Sequence, residues 1–582
     1  MTDPRRLQSG LEIPTEAYSD QPYLVKTRDG AWLLTVTTGA GREGEHGQHV
    51  VSMRSEDRGR TWSCPVDVEP ADGPESSYSV LLCVPSGRIY CFYNHNTDDL
   101  RYVLADDPPF PGGLCRRVDS QGHFVFRYTD DGGLTWSPLR YEIPQRLFAI
   151  DRENPYEGKI LFFWNVGKPF VSQGRAYVPI HKVGGFGEGF FTRSEGALLC
   201  SENLLTESDP EKIRWVTLPE GEIGLRAPEG AGPIAEEQSF VVASDGSIHA
   251  NYRTVSGHPA CCVSRDGGRT FSLPDFRRYP DGHSMRHPRA ANFTWRCENG
   301  NYLYWFHNHG GRGYDDRNPV WLSGGVETDG PEGRGILWSQ PEILLYDDDP
   351  RIRVSYPDLL EDGGEYYLTE TQKDVARVHR LDREMLEDLW AQSTLSRRAE
   401  TGLLLDLRPE GSVFSVPPLP VFSESDPDTL DARTRRTRAG ITLTLDFPGG
   451  LPAGIVLFSS LDSEDRGILV ETERDGCLRF ICGDGRGSFL WRTDPIPMAG
   501  THRVNFILDS GPCLLLTVLD GLLQDGGMRQ FGFGRFSPNL RTVSGGDASV
   551  HPAIRRVKLH GRALRVTEAI ADLRWDLSLG EL

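Results

Sequence analysis

Nothing in the 582 residues approaches the run of about 18 apolar residues that a membrane-spanning helix requires. The longest candidate, CLLLTVLDGLL over 513–523, is short and broken by Asp520. The amino-terminal stretch MTDPRRLQSGLEIPTEAYSD has basic residues but no apolar core. It reads as no secretory leader, and a cytoplasmic location is expected. No C-x-x-C pair occurs among the 11 cysteines, which are odd in number, scattered, and adjacent only at Cys261-Cys262. That usage speaks against a disulfide framework and a structural zinc site, and fits reduced, buried thiols. Positive charge is in deficit: 63 Lys and Arg face 83 Asp and Glu, a formal net charge of −20. Nucleic acid and anionic membrane are therefore disfavoured as partners. A small anionic ligand stays open, because a local arginine cluster overrides the global field at short range. Helical periodicity is scarce too, and REMLEDLWAQ, 383–392, is the only convincing run.

What the chain has in abundance is turns. Its 64 glycines and 40 prolines are dispersed, as many short strands joined by turns require. One turn recurs. SEDRGRTW (55–62), TDDGGLTW (129–136) and SRDGGRTF (264–271) share the pattern (S/T)-x-D-x-G-x-T-(W/F). In each, the Asp is expected to accept from backbone N–H groups two residues on, and Gly to supply positive φ. Thr then resumes a strand, and the aromatic buries against the next unit. Degenerate copies run from Ser201 to Trp215 and from Ser323 to Trp338, with a last candidate at Leu389-Trp390. The anchors at 62, 136, 215, 271, 338 and 390 are 74, 79, 56, 67 and 52 residues apart. Strand-like runs lie between them: WLLTVTT, RIYCFYN, RAYVPIH, SIHANYR, NYLYWFH and EYYLTET. Six copies of a roughly four-stranded unit predict an all-β chain whose first part is a six-bladed β-propeller.

After residue 396 the pattern changes. ITLTLDF, GIVLFSS, RGILVET, CLRFICG, HRVNFIL and CLLLTVL alternate apolar and polar residues between Gly/Asp turns, which predicts an antiparallel β-sandwich. AIRRVKLHGRALRVTEA, 553–569, resembles the last strand and exit of concanavalin-like (laminin-G-like) lectin modules. The expected division is 1–396 for the propeller and 397–582 for the sandwich. TLSRRAETG (394–402) and FSESDPDTLDARTRRTRAG (422–440) are the linker candidates.

Ligands of propellers sit at the central channel, so the boxes on outer turns are poor catalytic candidates. Three other motifs matter more. Glu236-Glu237-Gln238-Ser239-Phe240 leads through ASDGSIHANYR to Arg253; Arg317-Asn318-Pro319-Val320 precedes Ser323; and Val354-Ser355-Tyr356-Pro357-Asp358-Leu359 leads into GGEYYLTE. With the boxes, these resemble the sialidase (neuraminidase) superfamily of exo-glycosidases over about residues 15–395. The resemblance implies Tyr356 as nucleophile, Glu237 as its base, and Arg253 and Arg317 as the grip on a substrate carboxylate. The residue types suit that chemistry. A phenol with a pKa near 10 needs a carboxylate to take its proton, and a neutral nucleophile is not repelled by an anionic sugar. Paired arginines hold a carboxylate by bidentate, charge-assisted bonds. The scheme calls for no cofactor and no metal.

Two departures stand out. The family places an arginine of its triad in an early R-x-P motif, where this chain reads Ser19-Asp20-Gln21-Pro22-Tyr23, with Gln21 in the expected arginine's place. The general acid, normally an Asp before the first box, is replaced by a loop holding Glu43, Glu45, His46 and His49. Glu43 or His46 is the expected acid. His95 in YNHNTDD, and His307 and His309 in WFHNHGG, are expected to meet sugar hydroxyls. The predicted function is a retaining exo-glycoside hydrolase acting on an acidic or otherwise atypical terminal sugar. A uronate-cleaving propeller lyase and a non-catalytic glycan-binding protein remain as alternatives.

Overall fold

The computed structural model describes residues 3–105, 113–187, 191–331, 333–409, 413–415, 423–424, 436–437, 440–540 and 547–581. Six antiparallel sheets of four or five strands follow one another along the chain and form the propeller. Blade 1 holds strands Tyr18–Lys26, Trp32–Gly39, His49–Ser55 and Val66–Asp67, and blade 2 spans Ser76–Cys83 to Tyr141–Glu142. Blades 3, 4 and 5 begin at Phe163, Glu236 and Phe293. Blade 6 takes three strands from Ser355–Asp362, Glu365–Thr371 and Ala376–Arg380. Its fourth is the amino-terminal strand Leu11–Ile13, paired antiparallel with Ala376–Val378. The two ends of the propeller are thus held in one sheet. Side chains continue the seam: Leu24 N donates to Asp358 Oδ2 at 2.8 Å, and Thr371 Oγ1 donates to Ser19 O at 2.9 Å.

The three boxes share one geometry. Asp57, Asp131 and Asp266 accept from the N–H of Thr61, Thr135 and Thr270 at 2.8–3.0 Å, and from the hydroxyls of the same threonines at 2.6 Å. The acceptor therefore reaches four residues on, not two, because the turn is wider than a single β-turn. The Ser or Thr that opens each box takes the N–H of Gly59, Gly133 or Gly268, each at positive φ. Trp136 then packs among Leu33 and Val50 of blade 1 and donates to Ser52 Oγ at 2.9 Å. The Ser201 copy works across its insertion, with Asn203 Oδ1 accepting from Arg214 N at 2.9 Å. The Ser323 copy is instead a long hairpin, Val320–Gly330 with Gly333–Trp338. Trp390 sits on the helix Arg383–Ala391 and donates to Tyr302 O at 2.7 Å, so it anchors without a box. Asp131→Ala removes these two charge-assisted bonds and a third from Thr129 Oγ1 at 2.7 Å, and is expected to cost about 1–3 kcal/mol in urea unfolding, without altering ligand binding.

Beyond the propeller, two sheets form the sandwich. One is built on Ile441–Pro448, Thr501–Asp509 and Arg556–His560, the other on Val456–Ser459, Arg466–Thr472 and Leu478–Asp484. Leu443, Val504 and Leu559 of the first sheet pack on Ile468 and Phe480 of the second. The outer side of the first sheet does not face water. Leu516 and Val518 share a buried cluster with Tyr304, Trp321 and Trp338 of blade 5 and with Ile570. Residues 394–402 are pinned rather than free, since Ala399 N donates to Asp572 Oδ1 at 3.1 Å. Most of the second linker candidate, 422–440, lies outside the described residues. The chain also ends in a helix, Val566–Ser578, where only strand and exit were expected. Its pattern is masked because Asp572 and Asp576 point inward, ion-paired with buried Arg503 and Lys558. Among the described residues no helix is long and apolar enough to cross a membrane.

Candidate active site

The innermost strands of blades 1, 2, 4 and 6 carry the same irregularity. Each has a register break, after Asp20, Ser77, Glu236 and Ser355, followed at once by a non-glycine residue at positive φ. These residues are Gln21 (+50°), Tyr78 (+60°), Glu237 (+55°) and Tyr356 (+46°). A left-handed residue of this kind costs on the order of 1–3 kcal/mol and persists where its surroundings over-determine it. The bulge re-aims side chains. On a regular strand Glu236 and Glu237 would face opposite sides, yet both reach one guanidinium.

That guanidinium is Arg253. Its Nε donates to Glu236 Oε2 at 2.8 Å, and its Nη1 lies 2.9 Å from Glu237 Oε2. The other oxygen of Glu237 accepts from Tyr356 Oη at 2.8 Å. All of this is sequestered from water: Arg253 is 0% and Tyr356 2% exposed. Arg289 completes the far side, donating from Nη2 to Glu236 Oε1 at 2.7 Å, with its guanidinium 5.1 Å from the ring centre of Tyr314. Arg317 donates to Ser355 Oγ at 2.7 Å and to Tyr314 O at 2.9 Å. His181 accepts the Glu237 N–H on Nδ1 at 3.2 Å, and burial drops its pKa to about 3, so it is neutral.

The two adjacent glutamates differ in charge preference. Burial pushes Glu237 above the usual carboxylate range against the pull of Arg253. Glu236 is buried too, but Arg289 and Arg253 together hold it down to about 2. Pairs driven apart in this way mark acid–base roles. Glu236 is a permanent anion, whereas Glu237 can take a proton. Burial and the Glu237 charge raise Tyr356 well above 10, with Arg253 and Arg317 opposing.

Across the ring of Tyr356 lies a second charged group. Lys373 Nζ stands 4.3 Å from the ring centre, 2.6 Å from Asp20 and 3.2 Å from Glu43. Glu43 also meets Arg117 Nη2 at 3.2 Å, and Arg117 pairs with Asp119 at 2.8 Å. Two sequence expectations are corrected here. Counting an R-x-P tripeptide back from Pro22 puts residue 20, not 21, at the arginine position, and Asp20 stands there. Gln21 turns away on its bulge and donates to Asn165 O at 3.0 Å. Glu43 is the wrong charge state for a resting acid: burial would raise its pKa, but Lys373 and Arg117 hold it at about 2.

A family model for the BNR/Asp-box repeat matches residues 127–138. The chain is an Asp-box β-propeller. It is similar to a solved protein of unknown function from Dyadobacter fermentans, at 17% identity and TM-score 0.46, over 64% of this chain and 98% of the other. It is also similar to the intramolecular trans-sialidase of Ruminococcus gnavus in complex with oseltamivir carboxylate, at 15% identity and TM-score 0.43, over 64% and 96%. Trypanosoma rangeli sialidase in complex with 2,3-difluorosialic acid matches over 99% of this chain and 97% of its own, at 14% identity and TM-score 0.42. No curated protein matches the sequence.

The expected acid His46, and His95 and His309 among the histidines expected to meet sugar, are placed elsewhere in this Asp-box propeller, whereas His307 lies within electrostatic reach of Arg317. His46 is largely exposed and bonded to Glu75, beside Arg101, so it has no contact with the Tyr356 group. His95 is buried next to Thr97 and Arg140, its pKa depressed to about 4 by burial and by that arginine. His307 stacks on His287 with ring centres 5.7 Å apart. His309 donates from Nε2 to Asp316 O and packs 5.0 Å from Phe531 of the sandwich, so it serves the seam between propeller and sandwich. Asp20, Glu236, Arg289, Lys373 and Arg117 were not legible as site residues. Glu236 was visible beside Glu237, but alternation along a strand would have turned it away.

Proposed function

We propose that the chain is an exo-acting glycoside hydrolase of the retaining kind, acting on a terminal sugar that bears an acidic group. Tyr356 is the nucleophile, Glu237 its base, and Arg253 and Arg317 face the acidic group. The reading rests on the 2.8 Å contact between Tyr356 Oη and Glu237 Oε1 inside a buried group of arginines. Glu237 accepts the phenol proton as the oxygen attacks the anomeric carbon, and a proton donor on the opposite side releases the leaving oxygen. Burial strengthens each electrostatic contact, since field lines no longer pass through water. The names of the R. gnavus and T. rangeli structures, with their sugar-like ligands, agree with a carbohydrate partner. We also place the boundary between propeller and sandwich near residue 396, with the sandwich acting as a buttress to blade 5. The cluster joining Trp321 and Trp338 to Leu516 and Val518 supports that role.

The test is release of sugar from a panel of chromogenic glycosides of acidic monosaccharides, with the anomer of the first-formed product read by proton NMR. Retention of configuration, with no new ultraviolet absorbance, is the expected result. An inverted product would remove Tyr356 from its role, and an absorbing unsaturated product would point to elimination. Glu237→Gln is expected to lower the rate about 10²–10⁴-fold and to abolish the acidic limb of the pH profile. That limb lies higher than for an exposed glutamate, because the base works only when ionised and burial raises its pKa.

A further inference from the structure

We infer that Lys373 is the cation that stands in for the arginine absent from blade 1, meeting the sugar's carboxylate together with Arg253 and Arg317. The inference deepens the function proposed above and rests on its placing the sugar at Tyr356. Asp20, at the position where an arginine was expected, cannot hold an anion. Its partner can. Lys373 comes from the opposite side of the seam, in the hairpin between the second and third strands of blade 6, and brings its ammonium to within 2.6 Å of Asp20 and 4.3 Å of the Tyr356 ring centre.

The backbone is arranged for this placement. Lys373 is at φ +81°, a conformation that glycine or asparagine adopts at lower cost in a hairpin turn. It is fastened there by Ser19 N donating to Lys373 O at 3.0 Å and by Lys373 N donating to Thr371 Oγ1 at 2.9 Å. A lysine whose only role was solvation would not need that strain. The ammonium has three donors, of which Asp20 and Glu43 take two, so one is left for a ligand. Its side chain is 18% exposed, in contrast to the fully buried Arg253. An ammonium is a point charge without the planar fork of a guanidinium. The carboxylate is therefore gripped from the side of Arg253 and Arg317 and only touched from the side of blade 1. The groups facing Lys373 are Asp20, Glu43, Tyr356 and, at 6.0 Å, the ring of Tyr18, with Arg117 behind Glu43.

The test is the affinity for oseltamivir carboxylate, measured by titration calorimetry on four full-length proteins. These are the wild type, D20N/K373M, D20R/K373E and R317A. The double variants keep the Asp20–Lys373 pair neutral or reverse it, and Glu43 keeps Arg117 as its cation in both. We expect D20N/K373M to bind at least about tenfold more weakly than wild type, and D20R/K373E to regain wild-type affinity or better. R317A should also weaken binding. Wild-type affinity in D20N/K373M with loss in R317A would overturn the role of Lys373 and leave the proposed site standing. Binding by D20R/K373E but not by wild type would likewise show that the lysine does not replace the arginine. Equal binding by wild type and R317A, or no binding by any of the four, would remove the carboxylate site itself and this inference with it.

Discussion

Tyr356→Phe is expected to lower turnover of a responsive glycoside by about 10³-fold or more, with carboxylate-ligand affinity close to wild type and no more than about 1–3 kcal/mol lost in unfolding. The phenyl ring keeps its packing, and only one hydrogen bond, the 2.8 Å contact to Glu237, is removed. Leaving Glu237 Oε1 without that donor costs about 1–3 kcal/mol at most, because Arg253 still faces the same carboxylate. A structural role for the hydroxyl would show the reverse pattern, a stability change with the rate preserved. Measurement of kcat and of the ligand dissociation constant on one preparation separates the two. Full turnover in the phenylalanine variant would end the nucleophile assignment.

The parts of this site that sequence made legible were those with a local signature. Tyr356 follows a strand-starting serine, and Arg253 closes a strand sixteen residues after Glu237, and these are the local motifs that carry the resemblance to sialidases and so located both. The six blades were legible for the same reason, since an Asp, a Gly and an aromatic recur at nearly fixed offsets. What stayed hidden depends on pairing across the seam. Lys373 in TQKDV reads as an ordinary solvated turn, and only the pairing of Leu11–Ile13 with blade 6 and the Ser19–Thr371 contacts bring it opposite Asp20. Gln21 falls outside the arginine position because an R-x-P tripeptide ending at Pro22 begins at residue 20. His309 was misread because its partner, Phe531, lies more than two hundred residues away in the sandwich. The terminal helix was missed because its inward face carries Asp572 and Asp576, whose cations come from distant strands.

Arg253→Ala should be the most damaging single change to stability. It strands buried Glu237, leaving the neighbouring Glu236 with Arg289 as its remaining cation, and breaking a buried pair by removing one partner costs about 3–5 kcal/mol. The sign of the pH dependence follows from Glu236. Its folded pKa, about 2, lies below its unfolded value, so its contribution is present in full above the unfolded pKa and is lost as pH falls toward 2. Without Arg253, both carboxyl groups bind protons more readily in the folded state. The deficit of the variant relative to wild type should therefore be largest at neutral pH and shrink on acidification through the range 5 to 3. Urea unfolding at several pH values, followed by tryptophan fluorescence, reads it directly. A deficit that stays constant with pH would mean that Arg253 holds the channel by packing rather than by charge. Adding Glu237→Gln to the alanine variant should then recover nothing, whereas under the electrostatic account it should recover about 1–3 kcal/mol at neutral pH, since the stranded charge is removed.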